Sequence, residues 1–510
     1  MTLPYSLLTD RYELTMLDCA LDSGQASKQA VFEVFTRSLP KGRPYGVVAG
    51  TSRVLEAIAN FRFRDDEIQW LQDNQIVSPE AIQYLADFRF SGNAWGYLEG
   101  DLYFAHSPVL TIEAPLAEAL VLETVILSIL NHDSAVATAT ARMVDAAEGR
   151  AIYEGGSRRT HEQAGVAAAR AAYLAGAAAT SNLEAGRLYG VPTVGTIGHT
   201  FVLAHESEQA AFAAQFKKLG ANSTYLVDTY NTDQGVSNAL AVAGTDVSAI
   251  RIDSGNLDTE AKHARDLLDQ AGATNTTITV SGDLDEFSIH NLLHAPIDAY
   301  LVGTSLVSGS GHPTATMVYK LVAIEGATGD LTSVAKSSPL KQTIGGRKAA
   351  FRTYDADGNV EGETLIIDTE RDLTEVTGPG RRLQVPLISD GHVVGQPSLR
   401  ASRSWCKTSR DELPPEARTT QSTFSFDTTM LCHHYNLRPL PKRSASTART
   451  VTAQDACPPD DIADVVAAPP KPAARTNGST HTPEANEADH ESPLGLASVA
   501  EPGLFDESLL

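Results

Sequence analysis

The segment that decides the fold contains four apolar runs, STYLVDTY (223–230), VSAIRIDSGN (247–256), TTITVSGDLD (276–285) and IDAYLVGTSL (297–306). Each run carries a small or acidic residue near its end and is followed by an amphipathic run of helical period. Apolar runs that alternate with helices are typical of βα units in a parallel sheet, because strands covered on both faces lose their polar alternation. The sequence therefore predicts an α/β fold.

A fifth run, VPTVGTIGHTF (191–201), is predicted to be a strand that leads into this series. In parallel α/β folds, ligands bind at the carboxyl ends of the strands. The side chains that follow the five runs are therefore expected to converge on one rim, which is the predicted active site. These residues are Thr196, His199, Asp228, Arg251, Asp253, Asp283 and Thr304.

The composition limits the classes of partner. The chain has 510 residues, a net charge of −23 and a pI near 5.0, which argue against nucleic acid or an anionic membrane as the main partner. The N-terminus lacks the pattern of a signal peptide, and the apolar run at 116–130 carries two glutamates that favour a buried helix over a membrane span. The four cysteines are scattered without metal-ligand spacing, so we expect a cytoplasmic location.

The pattern changes on both sides of the central segment. Residues 1–125 mix helical runs with alternating strands and are predicted to form an α+β unit, and residues 126–320 the catalytic α/β domain. Residues 321–405 contain short alternating strands that can return to pack with the N-terminal unit. Residues 406–510 are rich in Ser, Thr, Pro and Ala and are predicted to be a disordered tail.

Two neighbouring strand ends have the character of a phosphate site. In VGTSL (302–306), Gly303 and Thr304 offer backbone N–H groups and a hydroxyl to a phosphate, although the same residues suit a simple tight turn. One unit earlier, SGDLDE (281–286) contains Gly282. The pair is similar to the phosphate site between the last two strands of an α/β barrel.

The acidic residues of the rim have two interpretations. Asp253 and Asp283 can cap the helices that follow them, or they can orient ribose hydroxyls and hold Mg²⁺ through its waters. Arg251 lies two residues before Asp253, so both side chains are expected on the same face of the strand. A buried arginine there needs an anion, either a substrate carboxylate or one of the neighbouring aspartates.

Histidine and arginine motifs complete the set of candidates. His199 follows a glycine in GTIGHTF and is either structural or a general base or nucleophile toward phosphorus. Arg158 and Arg159 follow a glycine pair in YEGGSRRTHEQAG (153–165), and they form either a solvated pair or an anion clamp.

Together, these motifs resemble those of nicotinate phosphoribosyltransferases, in family order over roughly residues 1–400. The resemblance implies a type II phosphoribosyltransferase fold, which is an irregular α/β barrel plus an α/β sandwich domain built from both chain ends. The tail after about residue 400 differs from the usual helical C-terminus of the family. The motifs are LLTDRYELTM (7–16), YEGGSRRTHEQAG (153–165), ATSNLEAGRLYGVPTVGTIGHTF (179–201), LVDTYNT (226–232), IRIDSGNL (250–257), SGDLDE (281–286) and VGTSL (302–306).

The resemblance also implies an activity. Members of the family condense nicotinate with phosphoribosyl pyrophosphate to nicotinate mononucleotide and pyrophosphate, in an ATP-dependent ligase reaction of NAD biosynthesis that uses Mg²⁺. ATP hydrolysis is coupled through a phosphohistidine, which falls on His199. Homodimers are implied, with Tyr12 reaching into the site of the partner.

Further roles are carried over onto matching positions. Nicotinate contacts fall on Tyr12, Thr196 and Arg251, and the phosphoribosyl phosphate contact falls on Thr304, with Gly282 and Gly303 nearby. Arg158 matches the arginine beside the pyridine and the pyrophosphate. With His199, Arg251 and Asp253 as catalytic residues and Asp283 as a further substrate contact, these form the predicted site.

Three rival functions stay open at this level. A nicotinamide or quinolinate phosphoribosyltransferase would show an acidic residue in place of Arg251, or a further basic cluster for the second carboxylate. A phosphate-binding barrel aldolase or isomerase would need a Schiff-base lysine, but no lysine occurs between Asp228 and Asp253. The third rival is a scaffold that binds nucleotide without turnover.

Overall fold

The structure is a computed structural model that describes residues 5–336, 343–369 and 371–432. The first third mixes helices with short strands. One of its helices begins with Pro79 at the first position, where no N–H is needed, and the Ser78 side chain accepts a hydrogen bond from the Ala81 N–H. The elements are α1 (Arg11–Asp22), β1 (Gln29–Thr36), β2 (Gly46–Val47), α2 (Thr51–Ala59), α3 (Asp65–Asp73), α4 (Pro79–Ala86), β3 (Asn93–Tyr97), β4 (Leu102–Tyr103) and β5 (Leu110–Pro115).

The central segment alternates strands with helices, as predicted. The elements are α5 (Leu116–Leu120), α6 (Glu123–Ala146), β6 (Ala151–Glu154), α7 (Glu162–Ala175), β7 (Ala179–Thr180), α8 (Leu183–Tyr189), α9 (His199–Leu203), α10 (Glu208–Leu219), β8 (Thr224–Leu226), α11 (Thr232–Ala243), β9 (Ala249–Ile252), α12 (Leu257–Gln270), β10 (Thr277–Gly282), α13 (Glu286–Asn291), β11 (Ala299–Val302) and α14 (Thr304–Val307). Single 3₁₀ turns occupy Ser157–Arg159, Gly220–Asn222 and Gly244–Asp246.

The last third is mostly β-structure. The elements are β12 (Met317–Glu325), β13 (Leu331–Ser333), β14 (Lys348–Tyr354), β15 (Val360–Ile367), β16 (Arg381–Arg382), β17 (Gln384–Ser389), β18 (His392–Val393), α15 (Leu399–Asp411) and β19 (Asp427–Cys432). Two more 3₁₀ turns lie at Leu373–Glu375 and Pro415–Arg418.

Six strands of the central segment form a parallel sheet in the order β7–β6–β11–β10–β9–β8. The sheet curls into a half-barrel, which confirms the predicted α/β architecture. Successive side chains of its strands point to opposite faces. Ile250, Ile252, Ile278 and Val280 are 0% exposed on one face and form part of the main core. The other, concave face is thereby left to the polar residues of the same strands.

Both chain ends contribute to a seven-stranded sheet in the order β13–β12–β1–β5–β3–β17–β18. A second sheet, β16–β14–β15–β19, packs against it. Buried polar contacts join the two sheets: Lys348 Nζ lies 2.8 Å from Glu33 Oε2, and the Tyr97 hydroxyl donates to Glu363 at 3.0 Å. The sandwich built from both ends is confirmed by this arrangement. The domain limits at residues 125 and 320 stay predictions.

The predicted lead-in strand at 191–201 is wrong. Within this run only Thr193 forms a bridge, which is parallel and pairs with Thr180, and the run ends in helix α9. Pro192 has no N–H to donate to a ladder, and Gly195 and Gly198 weaken the preference for an extended strand. The apolar period of the run therefore belongs to a loop that crosses the end of the sheet.

The predicted start of disorder at residue 406 is too early. Helix α15 continues to Asp411, and β19 pairs in parallel with β15 over Asp427–Cys432. Residues 433–510 of the predicted tail lie outside the described residues. The sequence pattern missed the ordered part because arginines and aromatic rings anchor it, and these carry no regular apolar period.

The anchors of this C-terminal segment are specific. Arg410 Nη1 donates to the Ala175 carbonyl at 3.0 Å, and its Nη2 pairs with Asp145. Arg418 Nη2 lies 3.0 Å from the same carboxylate. Phe426 stacks on Phe104 with ring centroids 4.3 Å apart. A buried aspartate of α6 therefore holds two arginines of the last described segment.

The apolar run at 116–130 forms α5 and the first turns of α6. Leu120, Val125 and Ile126 in it are buried in the core of the sandwich. In the part of the chain that the structure describes, no helix combines the length and apolar character needed to cross a membrane.

Replacing Asp145 by Asn should destabilise the fold, because it leaves Arg410 buried without its carboxylate. The two side chains are 5% and 7% exposed. We expect the free energy of unfolding in urea to fall by about 3 kcal/mol. The control, Asp269→Asn, breaks a pair with Arg265 in which the aspartate is 50% exposed, and should cost less than about 1 kcal/mol. Equal losses would contradict the anchoring role of Asp145.

Candidate functional site

The concave face of the half-barrel is set by the register of β9 and β10. Thr279 lies opposite Arg251, and Val280 lies opposite Ile252. Because side chains alternate along a strand, Arg251 and Asp253 share the concave face with Ser281. The three residues are in hydrogen-bonding contact there. The predicted convergence of Arg251 and Asp253 on one face is therefore found in the structure.

The Arg251 guanidinium is held by three side chains. Its Nε donates to Ser281 Oγ at 2.8 Å, its Nη1 to Thr196 Oγ1 at 3.0 Å and its Nη2 to Asp253 Oδ1 at 2.8 Å. The arginine side chain is 12% exposed. A guanidinium has five N–H donors, so two remain for a ligand, one on each terminal nitrogen. The arrangement is suited to bind a planar anion such as a carboxylate.

Asp253 stays ionised through its neighbours. Burial opposes the charged form, but hydrogen bonds from Ser281 and Arg251, together with the charges of Arg251 and His199, lower the pKa of Asp253 below its usual value. Both bonds go to Oδ1. Within the described residues Oδ2 accepts no hydrogen bond, so this oxygen is available to a hydroxyl or a hydrated cation.

His199 pairs with a buried aspartate. It occupies the first position of α9, and its Nε2 lies 3.1 Å from Oδ1 of Asp228, whose side chain is 2% exposed. Asp228 Oδ2 accepts the Asp253 N–H at 2.9 Å and the Ser254 hydroxyl at 2.6 Å. One carboxylate therefore links the histidine to the loop that follows β9. The second ring nitrogen of His199 has no hydrogen bond to any described residue.

The turn after β11 lies against the turn after β6. The Gly155 N–H donates to the Val302 carbonyl at 2.8 Å. A Cβ on Gly156 would lie 2.9 Å from the Gly303 carbonyl oxygen, so only glycine permits this approach. The 3₁₀ turn that carries Arg158 is thereby set beside α14, which begins at exposed Thr304. The arginine motif and the candidate phosphate motif are thus neighbours.

A buried glutamate shapes the first of these turns. Glu154 is 0% exposed, accepts the Gly156 N–H at 2.5 Å and accepts the hydroxyl of Thr180. Burial raises the pKa of Glu154, and the bond from Thr180 only partly opposes this effect. Sequence reasoning on YEGGSRR considered only the glycines and arginines and overlooked Glu154. Its position at the end of a strand could have identified it as a residue of the turn.

Other predicted residues are less engaged. Asp283 and Arg158 are exposed, and their side chains make no hydrogen bond to any described residue. Gly282 has φ +137, a conformation that favours glycine. Asp283 does not cap α13, because Asp285 accepts the N–H groups of its first turn. The capping interpretation is therefore excluded for Asp283.

Tyr12 is not part of this cluster within the chain. It lies on α1 and is 45% exposed, and none of its described contacts reaches the concave face. Partial burial and a hydrogen bond with Glu123 raise its pKa. Met16, one turn later on α1, and Leu8, in the segment before the helix, are also exposed.

Sequence reasoning missed Ser281 and Ser254. Ser281 lies before the aspartate of SGDLDE, and Ser254 follows the aspartate of RIDSGN. In both motifs only the aspartate was considered as a site residue. A signal for Ser281 was present in the sequence. It precedes Gly282 at the end of the strand that follows the strand of Arg251, where alternate side chains face the same side of the sheet. No group of three or more His, Cys, Asp or Glu side chains suited to a metal occurs among the residues that the structure describes.

Residues 7–131 match the model of the nicotinate phosphoribosyltransferase (NAPRTase) N-terminal domain, and residues 136–310 match that of the quinolinate phosphoribosyl transferase C-terminal domain. The nicotinate phosphoribosyltransferase pncB1 of Mycobacterium tuberculosis (strain ATCC 25618 / H37Rv) is 52% identical over 419 residues, which cover 81% of this chain and 92% of that protein. The nicotinate phosphoribosyltransferase of Bacillus subtilis (strain 168) is 38% identical over 378 residues, which cover 72% and 77%.

A solved structure is similar to the whole fold. The crystal structure of human nicotinic acid phosphoribosyltransferase superposes with a TM-score of 0.71 at 26% identity. The match covers 83% of this chain and 97% of the human one. The similarity therefore includes both the half-barrel and the sandwich.

Replacing Asp253 by Asn should remove a pH-dependent part of the stability. The lowered pKa of Asp253 means that its ionised form stabilises the fold above the unfolded-state pKa of about 3.9. This contribution is lost as the pH falls through the lower pKa of the folded state. We expect the melting temperature of the wild type to exceed that of the variant by a constant amount above about pH 5 and by less below about pH 4.

The matched control for this experiment is Asp283→Asn, since that carboxylate makes no hydrogen bond to a described residue. Its melting temperature should follow the wild type at every pH. A difference between wild type and Asp253→Asn that stays constant down to pH 3 would contradict the ionised Asp253 at this site.

Proposed function

The chain belongs to the nicotinate phosphoribosyltransferase family, and from this premise we propose that it joins nicotinate to phosphoribosyl pyrophosphate at the concave face. The products are nicotinate mononucleotide and pyrophosphate, in NAD biosynthesis. The observation that carries the assignment of the site is Arg251, which keeps two free N–H donors and whose partner Asp253 is hydrogen-bonded through its N–H to Asp228 of the His199–Asp228 pair. A nicotinate carboxylate fits such a donor pair.

The chemistry needs positioning more than it needs a protein nucleophile. The C1–O bond to pyrophosphate breaks and leaves oxocarbenium character on the ribose, as in glycoside cleavage. The pyridine nitrogen attacks C1 from the opposite face, and pyrophosphate departs with the electron pair of the broken bond. Arg251 orients the ring through its carboxylate, and Thr196 orients the arginine. A neutral amide would gain less from the guanidinium, which favours nicotinate over nicotinamide.

The phosphoribosyl end has a separate set of contacts in this proposal. Thr304 binds the 5′-phosphate, with the backbones of Gly303 and Gly282 close enough for phosphate oxygens to approach. Arg158 lies beside this turn and is assigned to the pyrophosphate, because its guanidinium has no other described partner. Asp283 is assigned to the ribose, because its exposed carboxylate can accept hydrogen bonds from the ribose hydroxyls.

The residues present fit a magnesium ion that arrives with the substrate. Mg²⁺ is usually held by one or two carboxylates together with substrate phosphates and water, and Asp253 Oδ2 and Asp283 are free to supply carboxylate oxygens. When bound, Mg²⁺ neutralises charge on the departing pyrophosphate. Asp253 is suited to this role because its pKa is lowered, so that it is ionised at neutral pH.

His199 is the proposed link to ATP. Asp228 holds one ring nitrogen and leaves the other free for the γ-phosphorus. The N–P bond forms as the bond to ADP breaks, and water later cleaves the phosphohistidine. Because Asp228 also accepts the Asp253 N–H, a phosphoryl group on His199 would act on the nicotinate end of the site through one shared carboxylate.

A homodimer is the proposed assembly, with Tyr12 completing the site of the partner. The support is that Tyr12 makes no described contact with the concave face of its own chain and lies near two other exposed apolar side chains, Leu8 and Met16. We also propose a cytoplasmic enzyme, in keeping with cysteines that are scattered along the sequence without metal-ligand spacing. The domain limits at residues 125 and 320 are proposed as well.

Replacing His199 by Ala should abolish the stimulation of product formation by ATP. Nicotinate mononucleotide is measured from nicotinate, phosphoribosyl pyrophosphate and Mg²⁺, with and without ATP. The variant should keep a basal rate while the ATP-dependent gain, about tenfold or more, is lost. The control is His205→Ala, a nearby histidine whose Nδ1 lies 2.7 Å from the Phe201 carbonyl oxygen rather than from an acidic residue.

Full ATP stimulation in His199→Ala would contradict the proposed phosphohistidine but not the proposed reaction. Consumption of nicotinamide in preference to nicotinate would show that Arg251 is misassigned. If the folded wild type forms no product with all substrates present, the proposed function itself is contradicted.

Mixing Tyr12→Ala with Arg251→Ala should restore activity if the site is shared across a dimer. Each variant alone is expected to be nearly inactive. In randomly exchanged dimers, the heterodimers would carry one intact site each, so about a quarter of the wild-type activity should return. In the control mixture, Arg251→Ala with His199→Ala, each site of the heterodimer carries one of the two changes, so the activity should not exceed the average of the two variants measured separately. No recovery in the first mixture would contradict a shared site.

A further inference from the structure

We infer that Ser281 sets the preference of the site for a carboxylate by holding the Arg251 guanidinium in one orientation. The inference rests on the proposed function and extends it to specificity. Ser281 acts through Arg251 and Asp253, so it is a positioning residue rather than a catalytic one. Ser281 opens the motif SGDLDE (281–286), but neither the motif nor the family resemblance assigned a role to this serine.

Ser281 is built into the site rather than exposed at its edge. It is 3% exposed and is the last residue but one of β10. Its Oγ accepts a hydrogen bond from Arg251 Nε at 2.8 Å and donates one to Asp253 Oδ1. A hydroxyl has one donor and two acceptor positions, so it can make both bonds at once. The three side chains close a ring of hydrogen bonds, since Arg251 Nη2 also donates to Asp253 Oδ1.

This ring fixes the plane of the guanidinium. Arginine has several rotatable bonds, and its planar fork binds a carboxylate with two hydrogen bonds only when the plane is turned toward it. Bonds at Nε and Nη2 to the Ser281–Asp253 pair determine that plane. Thr196 takes one N–H of Nη1. The remaining donors, one on each terminal nitrogen, are therefore presented together for the substrate.

Ser281 also prevents a competing pairing inside the site. Arg251 and Asp253 have opposite charges and share a face, and such pairs commonly form two parallel hydrogen bonds. Here it would use Nε together with Nη2 and pull the guanidinium plane toward Asp253. By donating to Oδ1 and occupying Nε, Ser281 restricts the aspartate to a single bond with the arginine. Without the hydroxyl, Asp253 is free to take Nε as well as Nη2, which turns the two remaining donors of the terminal nitrogens away from nicotinate.

The test uses three variants of the full-length enzyme. Ser281→Ala removes the hydroxyl, and Ser281→Thr keeps it. The matched control is Thr279→Val, which removes a hydroxyl from the same face of β10, directly opposite Arg251 in register, where no hydrogen bond to a described side chain is lost. The readouts are the Kd of nicotinate by calorimetry, the KM values for nicotinate, nicotinamide and phosphoribosyl pyrophosphate, kcat and the melting temperature.

We expect Ser281→Ala to raise the Kd and the KM for nicotinate about tenfold, which is the effect of one lost hydrogen bond to a charged group. The KM for phosphoribosyl pyrophosphate and kcat should stay within about twofold, and the preference for nicotinate over nicotinamide should shrink. Ser281→Thr and Thr279→Val should behave like the wild type.

Two outcomes would overturn the inference. One is a nicotinate Kd in Ser281→Ala equal to that in Thr279→Val. The other is an equal rise of all three KM values with a lower melting temperature, which a merely structural role would produce. The proposed function fails separately: if wild type binds nicotinate tightly and Ser281→Ala does not, but neither forms product, the positioning role stands and the reaction is removed. If wild type binds no nicotinate, both are overturned.

Discussion

The parallel register between β9 and β10 is the constraint on which the site depends. Thr279 lies opposite Arg251, and the alternate residues Ile250 and Ile278 are fully buried on the other face. A slip of one residue would move either Arg251 of β9 or the hydroxyls of Thr279 and Ser281 of β10 into this apolar layer, where burial of a polar group without a partner is costly. The burial of a few β-branched side chains therefore decides which polar groups meet on the concave face.

Asp228 connects the two strands to residues outside them. Its side chain is almost fully buried, and it receives hydrogen bonds from a helix and from the loop after the neighbouring strand. A buried carboxylate is costly unless such partners are present. The requirement to satisfy it brings His199 and the Asp253 backbone together, so that two motifs far apart in sequence form one unit.

Much of this organisation is predictable from the sequence. The βα alternation and the shared face of Arg251 and Asp253 follow from period and spacing, whereas the sandwich from both chain ends was implied by the resemblance to the family. The run at 191–201 was misread because apolar content does not distinguish a strand from a loop broken by Pro192 and two glycines. The order of 406–432 was missed because it rests on long-range contacts such as Arg410 with Asp145, which leave no local pattern. Ser281 was overlooked because a hydroxyl acquires its role only from its partners.

The place of β1 in the sandwich has a consequence for biosynthesis. One edge of β1 pairs with β5, made soon afterwards, but the other pairs with β12, which lies beyond the entire half-barrel. At about 5–20 residues per second, roughly a quarter of a minute to a minute separates the two strands on the ribosome. During that interval the nascent chain carries a buried-type strand with one open edge, a surface prone to pairing with other chains. The order of the strands therefore leaves one edge of β1 open to wrong pairing until β12 has been synthesised.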